Sequence, residues 1–538
     1  MKKKNKRRLL FCTETGDLST GYGNYTRSVL QYLYNTNKYI IAELSCFKST
    51  CSECKFPWKI YPNAVEQQDE RFPQYAAVKQ NQFGQWRFDL VAAHFKPDIV
   101  IDFRDMYMSL YQRTSIFRSK FHWILAPTID SFPMKREWIE ALRNCDTLLT
   151  HTEWAKTQIE SKYNIKVSGV VKDSIDPKIF KPMNKAVCRQ KLNMPLNIKI
   201  IGSVMRNQRR KLIPELFRLL SDIIQEDPDV YLYLHTSYPE NNGWEIPELL
   251  LEFKVYNNVL FSYVCDKCKN VHALKWQGES CVCPSCSKRT MTLASANNGV
   301  EPRQLAEIIN TFNVYVQYSV CEGFGIPPLE AAACGVPFIT TDHGAMTELA
   351  ENFNCDVVKT IQYRDMDNGS DRVFPDNTDA KKKILDLINM NAIDILNIVE
   401  DYKKIIQANH SWDITGKEFE KIIDNASLQK TKNRWLPLSE SYFDAISKDT
   451  KNNSNNREFV YDIVDNILQE PQLKTSYFIE TLVSSLDKGY VIDSNGTTPY
   501  NKTDAVKTLE MWFNNKVFLN GFIENPSVLK HQDFLDYK

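Results

Sequence analysis

Glu322 and Glu330 flank the stretch Gly323-Phe324-Gly325-Ile326-Pro327-Pro328-Leu329. The apolar run Val314 to Tyr318 before it reads as a strand. Leu329 to Cys334 reads as a helix closed by Gly335, with Pro327 and Pro328 suited to its first turn. The loop therefore lies at a strand's carboxyl end and feeds a helix N-terminus, where open α/β sheets bind ligands. Free N–H groups and the helix dipole there favour phosphate, and Gly323 and Gly325 let the backbone approach a ligand. Two carboxylates are ill-matched to a phosphate. They suit the hydroxyls of a sugar or a ribose, from which a carboxylate accepts hydrogen bonds. A helix-capping acid and a solvated loop acid would also place Glu at such positions.

Arg206 and Lys211 stand five apart just after the strand Ile198 to Val204, with Arg209 and Arg210 as further candidates. Fixed cations there would stabilise negative charge developing on a departing diphosphate. A solvated basic turn or an RNA contact would use the same residues. Cys265-x2-Cys268 and Cys283-x2-Cys286 are two knuckles with zinc-ribbon spacing. Four thiolates make a closed tetrahedral site without a position for water, so the zinc is expected to be structural. Cys281 is a spare thiol or an alternative ligand. Cys51 and Cys54, with Cys46, lack a second knuckle and read as ordinary thiols.

In the first third, Gly21-Tyr22-Gly23 follows a strand, but Thr26 replaces the third glycine of a dinucleotide fingerprint. Asp17 shares that loop. Asp130 lies just past the strand Trp123 to Ala126 and is the candidate to orient or deprotonate an acceptor, or to contact a donor sugar. A helix cap would equally explain it. Asp102, Arg104 and Asp105 end the preceding strand and are expected to line the same cleft. His343 reads as a loop residue at the cleft edge. Asp365-Met366-Asp367 has the form of a metal-binding Asp-x-Asp but lies beyond the second sheet in a polar loop, and is not expected to hold a metal.

The elements that must position these residues alternate strand and helix, which implies doubly wound parallel sheets. From Arg8 to about Pro182 strands begin at Leu9, Ile99, Trp123 and Leu148; Gly16 to Asn24 reads as a loop and Tyr25 to Tyr34 as a helix. A second half starts near Ile198, with strands at Val230, Val259, Val314 and Phe338. Asp379 to about Leu428 is helical. After a polar break at 452–456, helical periodicity runs from Phe459 to Leu468 and from Ala505 to Phe513.

The chain has 538 residues and a formal net charge of +1, and 43% of it is hydrophobic. That balance excludes a dedicated nucleic-acid wrapper. No apolar run reaches the length of a membrane span, and the basic start Lys2 to Arg8 lacks a signal-peptide core. Five of the 14 cysteines fall between Cys265 and Cys286 and none after Cys355. Such clustering points to a metal rather than to disulfides.

The arrangement Glu-Gly-Phe-Gly-x-Pro-x-Leu-Glu-Ala-x-Ala-x-Gly-x-Pro from Glu322 to Pro337, preceded by Arg206 and Lys211, resembles the Glu-x7-Glu motif of retaining glycosyltransferases of GT-B fold, family 4 (group 1) type. The resemblance spans roughly Arg8 to Ile423. It implies an α/β GT-B fold: a Rossmann-like acceptor-side domain (1–185), a nucleotide-sugar domain (186–385) holding the zinc-ribbon insertion (264–292), helices packing back on the first domain (386–430), and a helical appendage (455–538). It implies a hexosyl- or pentosyltransferase using a nucleotide-sugar as co-substrate, with retention and no catalytic metal. Glu322, Asp130, Arg206 and Lys211 take the catalytic region. Gly21, Gly23, Arg206, Lys211, Gly323, Phe324, Gly325 and Glu330 take the donor, with Glu330 on the ribose. Val204 to Lys211 and the ribbon are similar to a subgroup encoded by tailed bacteriophages, which implies a cytoplasmic location, the host's cytoplasm for a phage protein. The acceptor stays open among glycan, lipid, protein and modified nucleic-acid base, as does the oligomeric state. An inactive scaffold serving as a binding module, and a GT-B sugar-nucleotide epimerase, are the alternative readings.

Overall fold

Near-continuous apolar runs such as Leu9-Leu10-Phe11-Cys12 are what a parallel strand covered on both faces requires, and these four residues have no exposed surface. A computed structural model describes residues 6–18, 20–49, 56–69, 71–115, 117–295, 298–428, 455–464, 474, 477–493 and 496–515. Cys51, Cys54, most of the basic start, residues 452–454 of the polar break and 465–468 lie outside them.

The first sheet is wholly parallel. It comprises β1 (Arg7–Glu14), β2 (Tyr39–Ser49), β3 (Lys59–Ala64), β4 (Ile99–Asp102), β5 (His122–Leu125), β6 (Thr147–Thr150) and β7 (Gly169–Val170), in the order β3-β2-β1-β4-β5-β6-β7. The order reverses between β1 and β4, which opens a crevice at their carboxyl ends.

The second sheet has nine strands: β8 (Lys199–Val204), β9 (Val230–His235), β10 (Val259–Cys265), β11 (Val271–Leu274), β12 (Ser280–Cys281), β13 (Met291–Leu293), β14 (Val314–Gln317), β15 (Phe338–Thr341) and β16 (Val357–Val358). Its parallel core runs β10-β9-β8-β14-β15-β16, with the reversal between β8 and β14. The cysteine-rich insertion is not a detached knob. Both β11 and β13 pair antiparallel with β10, so the insertion extends the sheet edge.

An antiparallel hairpin that the sequence reading did not place, β17 (Thr360–Arg364) and β18 (Asp371–Pro375), leaves this half and reaches the first one. The Asp371 N–H donates to Phe132 O at 2.7 Å. The Asp365-Met366-Asp367 triplet forms the tip of this hairpin. The helix Trp412–Asn425 returns the chain to the first half, where Gly416 lies against the Tyr32 ring of the helix Gly21–Asn35. Beyond residue 454 the described elements are the helices Asn456–Asp462, Tyr477–Lys488 and Lys502–Asn515 and a hairpin, Tyr490–Asp493 with Gly496–Pro499, so the appendage is not helical throughout. No helix among the described residues is long and apolar enough to cross a membrane.

Candidate active site

The two strand-order reversals face each other across a cleft of about 1500 Å³. One wall is built from residues after β1, β4 and β5, the other from residues after β8, β9 and β14. That volume accommodates a drug-sized ligand with room for a second molecule.

The loops after β8 and β14 are tied together by backbone hydrogen bonds, Val320 N–H to Arg210 O at 2.9 Å among them. This brings Glu322 against three donors. Lys211 Nζ contacts one carboxylate oxygen, which also accepts from Gln317 Nε2 at 3.0 Å. Arg210 Nη1 reaches the other at 2.9 Å. Burial opposes the charged carboxylate, yet Arg210 and Lys211 hold it down at about 2. Lys211 is itself depressed to about 8, by burial and then by Arg210. Arg206 lines the same wall in a bidentate pair with Glu240, at 2.9 and 3.2 Å. Arg209 instead lies over the Trp244 ring and is not part of the wall. Arg210 is.

Glu330 is placed by the helix Ile326–Ala333, whose N-cap Gly325 sits at φ +104°, a left-handed conformation open to glycine at little cost. The residue is 6% exposed and lines the cleft, and its carboxyl group has no hydrogen-bond partner among the described residues. Burial alone pushes it up to about 8. An unpartnered buried carboxylate is costly, and a ligand hydroxyl would offset that cost. Gly323 packs on the other half so closely that an added Cβ would lie 2.0 Å from Thr128 Cγ2. Phe324 and Gly325 complete this wall.

On the first-half wall, Gly21 and Gly23 do not sit in a loop. They form the first turn of the helix Gly21–Asn35, capped by Thr20. The helix starts early because Thr20 Oγ1 accepts from Gly23 N–H at 3.0 Å, and Gly23 has no room for a Cβ, which would fall 2.4 Å from Leu18 O. Gly21 remains at the cleft side of the helix, whereas Gly23 is buried against the Thr15–Leu18 turn and, contrary to the sequence expectation, does not line the cleft. Gly21 faces Ile326 across the gap. Asp130 lines the cleft and accepts from Cys321 Sγ, at 3.2 Å, across the interface.

Asp102 and Arg104 depart from the sequence expectation. They form a fully buried ion pair beneath the cleft floor. Of that trio only Asp105 lines the cleft, accepting from Tyr22 OH at 2.7 Å. His343 is no cleft residue either: it packs toward Trp154 where the second half docks. There Glu348 accepts from Trp154 N–H at 2.6 Å.

The sequence reading missed Glu14, His151, His235 and Arg372. Glu14 and His235 end β1 and β9, and His151 follows β6, a carboxyl-end position equally legible in the sequence. His151 faces Asp173 at 2.9 Å through Nδ1 and Ala126 O at 3.0 Å through Nε2. Both partners are acceptors, so both nitrogens donate. Burial opposes this charge, but Asp173 keeps the imidazolium raised. Arg372 arrives on the unforeseen hairpin and contacts Cys321 Sγ.

Outside the cleft, the sulfurs of Cys265, Cys268, Cys283 and Cys286 all lie within 4.8 Å of one another. Two of the separations are 3.6 and 3.7 Å. A tetrahedron with Zn–S bonds of about 2.3 Å has edges of about 3.8 Å, whereas a disulfide would need about 2 Å. Cys281 is not among the four.

Residues 297–412 match the family described as Glycosyl transferases group 1. The chain is similar to D-inositol 3-phosphate glycosyltransferase of Corynebacterium urealyticum, 25% identical over 212 residues, which is 38% of this chain and 42% of that protein. The match thus spans less than half of the curated relative's length. Among solved structures the chain is similar to a sucrose-phosphate synthase from Thermosynechococcus elongatus, with a TM-score of 0.56 and 15% identity over 78% of this chain and 98% of that one. It is also similar to Anabaena HepE in complex with UDP-glucose, with a TM-score of 0.54 and 12% identity over 78% and 100%. The fold is that of the GT-B glycosyltransferases, and its second half carries the group 1 segment.

Proposed function

We propose that this chain transfers a hexosyl or pentosyl group from a nucleotide-sugar to an acceptor hydroxyl, with retention and without a catalytic metal. The observation that carries the reading is Glu330, a buried carboxylate opening unpartnered onto a cleft whose same wall holds Arg206, Arg210 and Lys211. Acids and cations in one wall fit a ligand that carries both hydroxyls and phosphates. HepE, of the same fold, was solved with UDP-glucose.

In this reading Glu330 accepts from the ribose hydroxyls. Arg206, Arg210 and Lys211 stabilise the diphosphate as it leaves. Glu322 fixes two of those cations. Three donors occupy it already, and a carboxylate offers about four acceptor positions, so one is left for a sugar hydroxyl beside the N–H groups of Gly323 to Gly325. The acceptor hydroxyl enters from the first half near Asp130. The bond from the anomeric carbon to the phosphate oxygen breaks as the new glycosidic bond forms on the same face, and the acceptor proton passes to a phosphate oxygen. Incubation with sugar nucleotides and candidate acceptors, read for a new glycosidic linkage and its anomeric configuration, tests this. An inverted product would remove the retaining step.

The four-thiolate site is proposed to hold one structural zinc. Its donor set and sulfur spacing fit that ion, and four thiolates leave no position for water. Reduced thiols suit a reducing compartment, so the cytoplasm is the proposed location. Metal analysis of purified protein tests the zinc, with one ion per chain expected.

A further inference from the structure

We infer that the four-cysteine centre sets the shape of the donor wall, so that nucleotide binding depends on metal loading although none of the four cysteines lines the cleft. The inference rests on the zinc reading above and goes beyond it: the zinc would position a binding wall as well as closing the ribbon.

Three routes join the centre to the cleft. The first runs along β10. Ser262, three residues before Cys265, holds His235 through a hydrogen bond to Nδ1 at 2.8 Å, and His235 lines the cleft. The second runs along β13. Cys265 pairs with Met291 and Tyr263 with Leu293. The strand then delivers Ala294, whose N–H donates to Ser262 O at 3.1 Å, and Ser295, both of them cleft residues. Asn298 Nδ2 donates back to Thr292 Oγ1 at 3.1 Å and to Val264 O at 3.4 Å, which leads the chain into the cleft-lining residues 299–301. The third leaves the first knuckle. Lys269 O, one residue past Cys268, accepts from Gln304 Nε2 at 3.0 Å. Gln304 lies on the helix Pro302–Ile309, and its Oε1 accepts from Glu301 N–H at 2.9 Å. Pro302 and Leu305 of that helix line the cleft.

β13, which carries the second route, has three residues, and its partner β12 has two. β12 pairs with β13, and β13 is held by β10 and by the buried side chains of Met291 and Leu293, so β12 and the knuckles depend most on the metal. In such small ribbons the metal's binding energy is folding energy. Loss of the ion would free β12 and the first knuckle and loosen β13, and with them the cleft residues Ala294, Ser295, 299–301, Pro302 and Leu305. The backbone ladders joining β8 to β9 and β14, and β14 to β15, contain none of these contacts.

Hydrogen exchange on the full chain, zinc-loaded and after mild chelation, with metal content measured in each sample, tests the coupling. Amides of 291–295 and 298–305 are expected to exchange at least about tenfold faster without zinc, while those of β1, β4 and β8 keep their protection. Unchanged protection at 298–305 in demonstrably zinc-free protein would overturn the inference. A second variant avoids disturbing the metal. Asn298→Ala keeps all four thiolates and is expected to retain one zinc, speed exchange at 298–301 and weaken uridine diphosphate binding about fivefold. Wild-type exchange and wild-type affinity in that variant would likewise overturn the coupling. Purified protein without zinc, whose exchange does not change on adding zinc, would instead sink the zinc reading itself.

Discussion

The Lys211 ammonium and the Glu322 carboxylate are buried in contact with each other, one leaving the end of β8 and the other the end of β14. Arg210 shares the carboxylate. The two strand ends flank the reversal in strand order, so this pair is both a clasp between the loops and the anionic counterweight of the cationic wall.

Removing one partner leaves the other charge buried without compensation. Glu322→Gln is expected to destabilise the chain by about 3 kcal/mol at pH 7, measured by urea unfolding. Lys211→Met added to Glu322→Gln is expected to recover part of that loss. The wild-type carboxyl is held at about 2, against 4.5 for an ordinary glutamate. The stability it contributes is thus full above pH 4.5 and declines as the pH falls toward 2. The difference between wild type and Glu322→Gln should shrink in that window.

Glu330 carries the opposite sign. Burial raises it to about 8 from 4.5, so between these values the folded chain binds more protons than the unfolded one. Its contribution to stability falls as the pH rises from 4.5 to 8. Glu330→Gln, which stays neutral, is expected to gain thermal stability relative to wild type from pH 5 to pH 8. Melting curves in the absence of nucleotide at both pH values check this; a constant difference would mean that the carboxyl ionises normally.

Gly323→Ala places a methyl group where Thr128 Cγ2 of the opposite half already lies. It is expected to lower transferase kcat/KM about tenfold, because misplacing the sugar-side loop by about 1 Å costs that much or more. Thr128→Ser removes the obstructing methyl and keeps the hydroxyl, so it is expected to restore most of the activity in the double variant. Loss without rescue would place the effect of the alanine elsewhere.

The architecture was legible because parallel strands buried on both faces read as apolar runs, and because Gly325 and the two prolines mark a loop-to-helix turn at Glu330. The cysteine spacing likewise pointed to four particular sulfurs, and those four are the ones that converge. Other features depend on contacts distant in sequence. Asn368-Gly369, with Gly369 at φ +69°, is a turn signal within Thr360 to Pro375, but alternation in the flanking stretches is weak and the hairpin's interface partner, Phe132, is far away along the chain. Arg206 and Arg210 look alike in sequence, but Glu240 claims one and Glu322 the other. Asp102 looked like a cleft acid until the fold placed Arg104 against it. The early helix start at Gly21 followed from one hydroxyl, that of Thr20, which propensity alone would not have favoured over a glycine loop.

The most direct measurement is the binding of a panel of sugar nucleotides to wild type and to Glu330→Ala by calorimetry, with melting curves to confirm that the variant is folded. The account predicts that at least one sugar nucleotide binds wild type and that the variant binds it about tenfold or more weakly, as expected when one partner of a buried hydrogen bond is removed. Failure of every sugar nucleotide to bind wild type, or equal affinity in a folded Glu330→Ala, would contradict it.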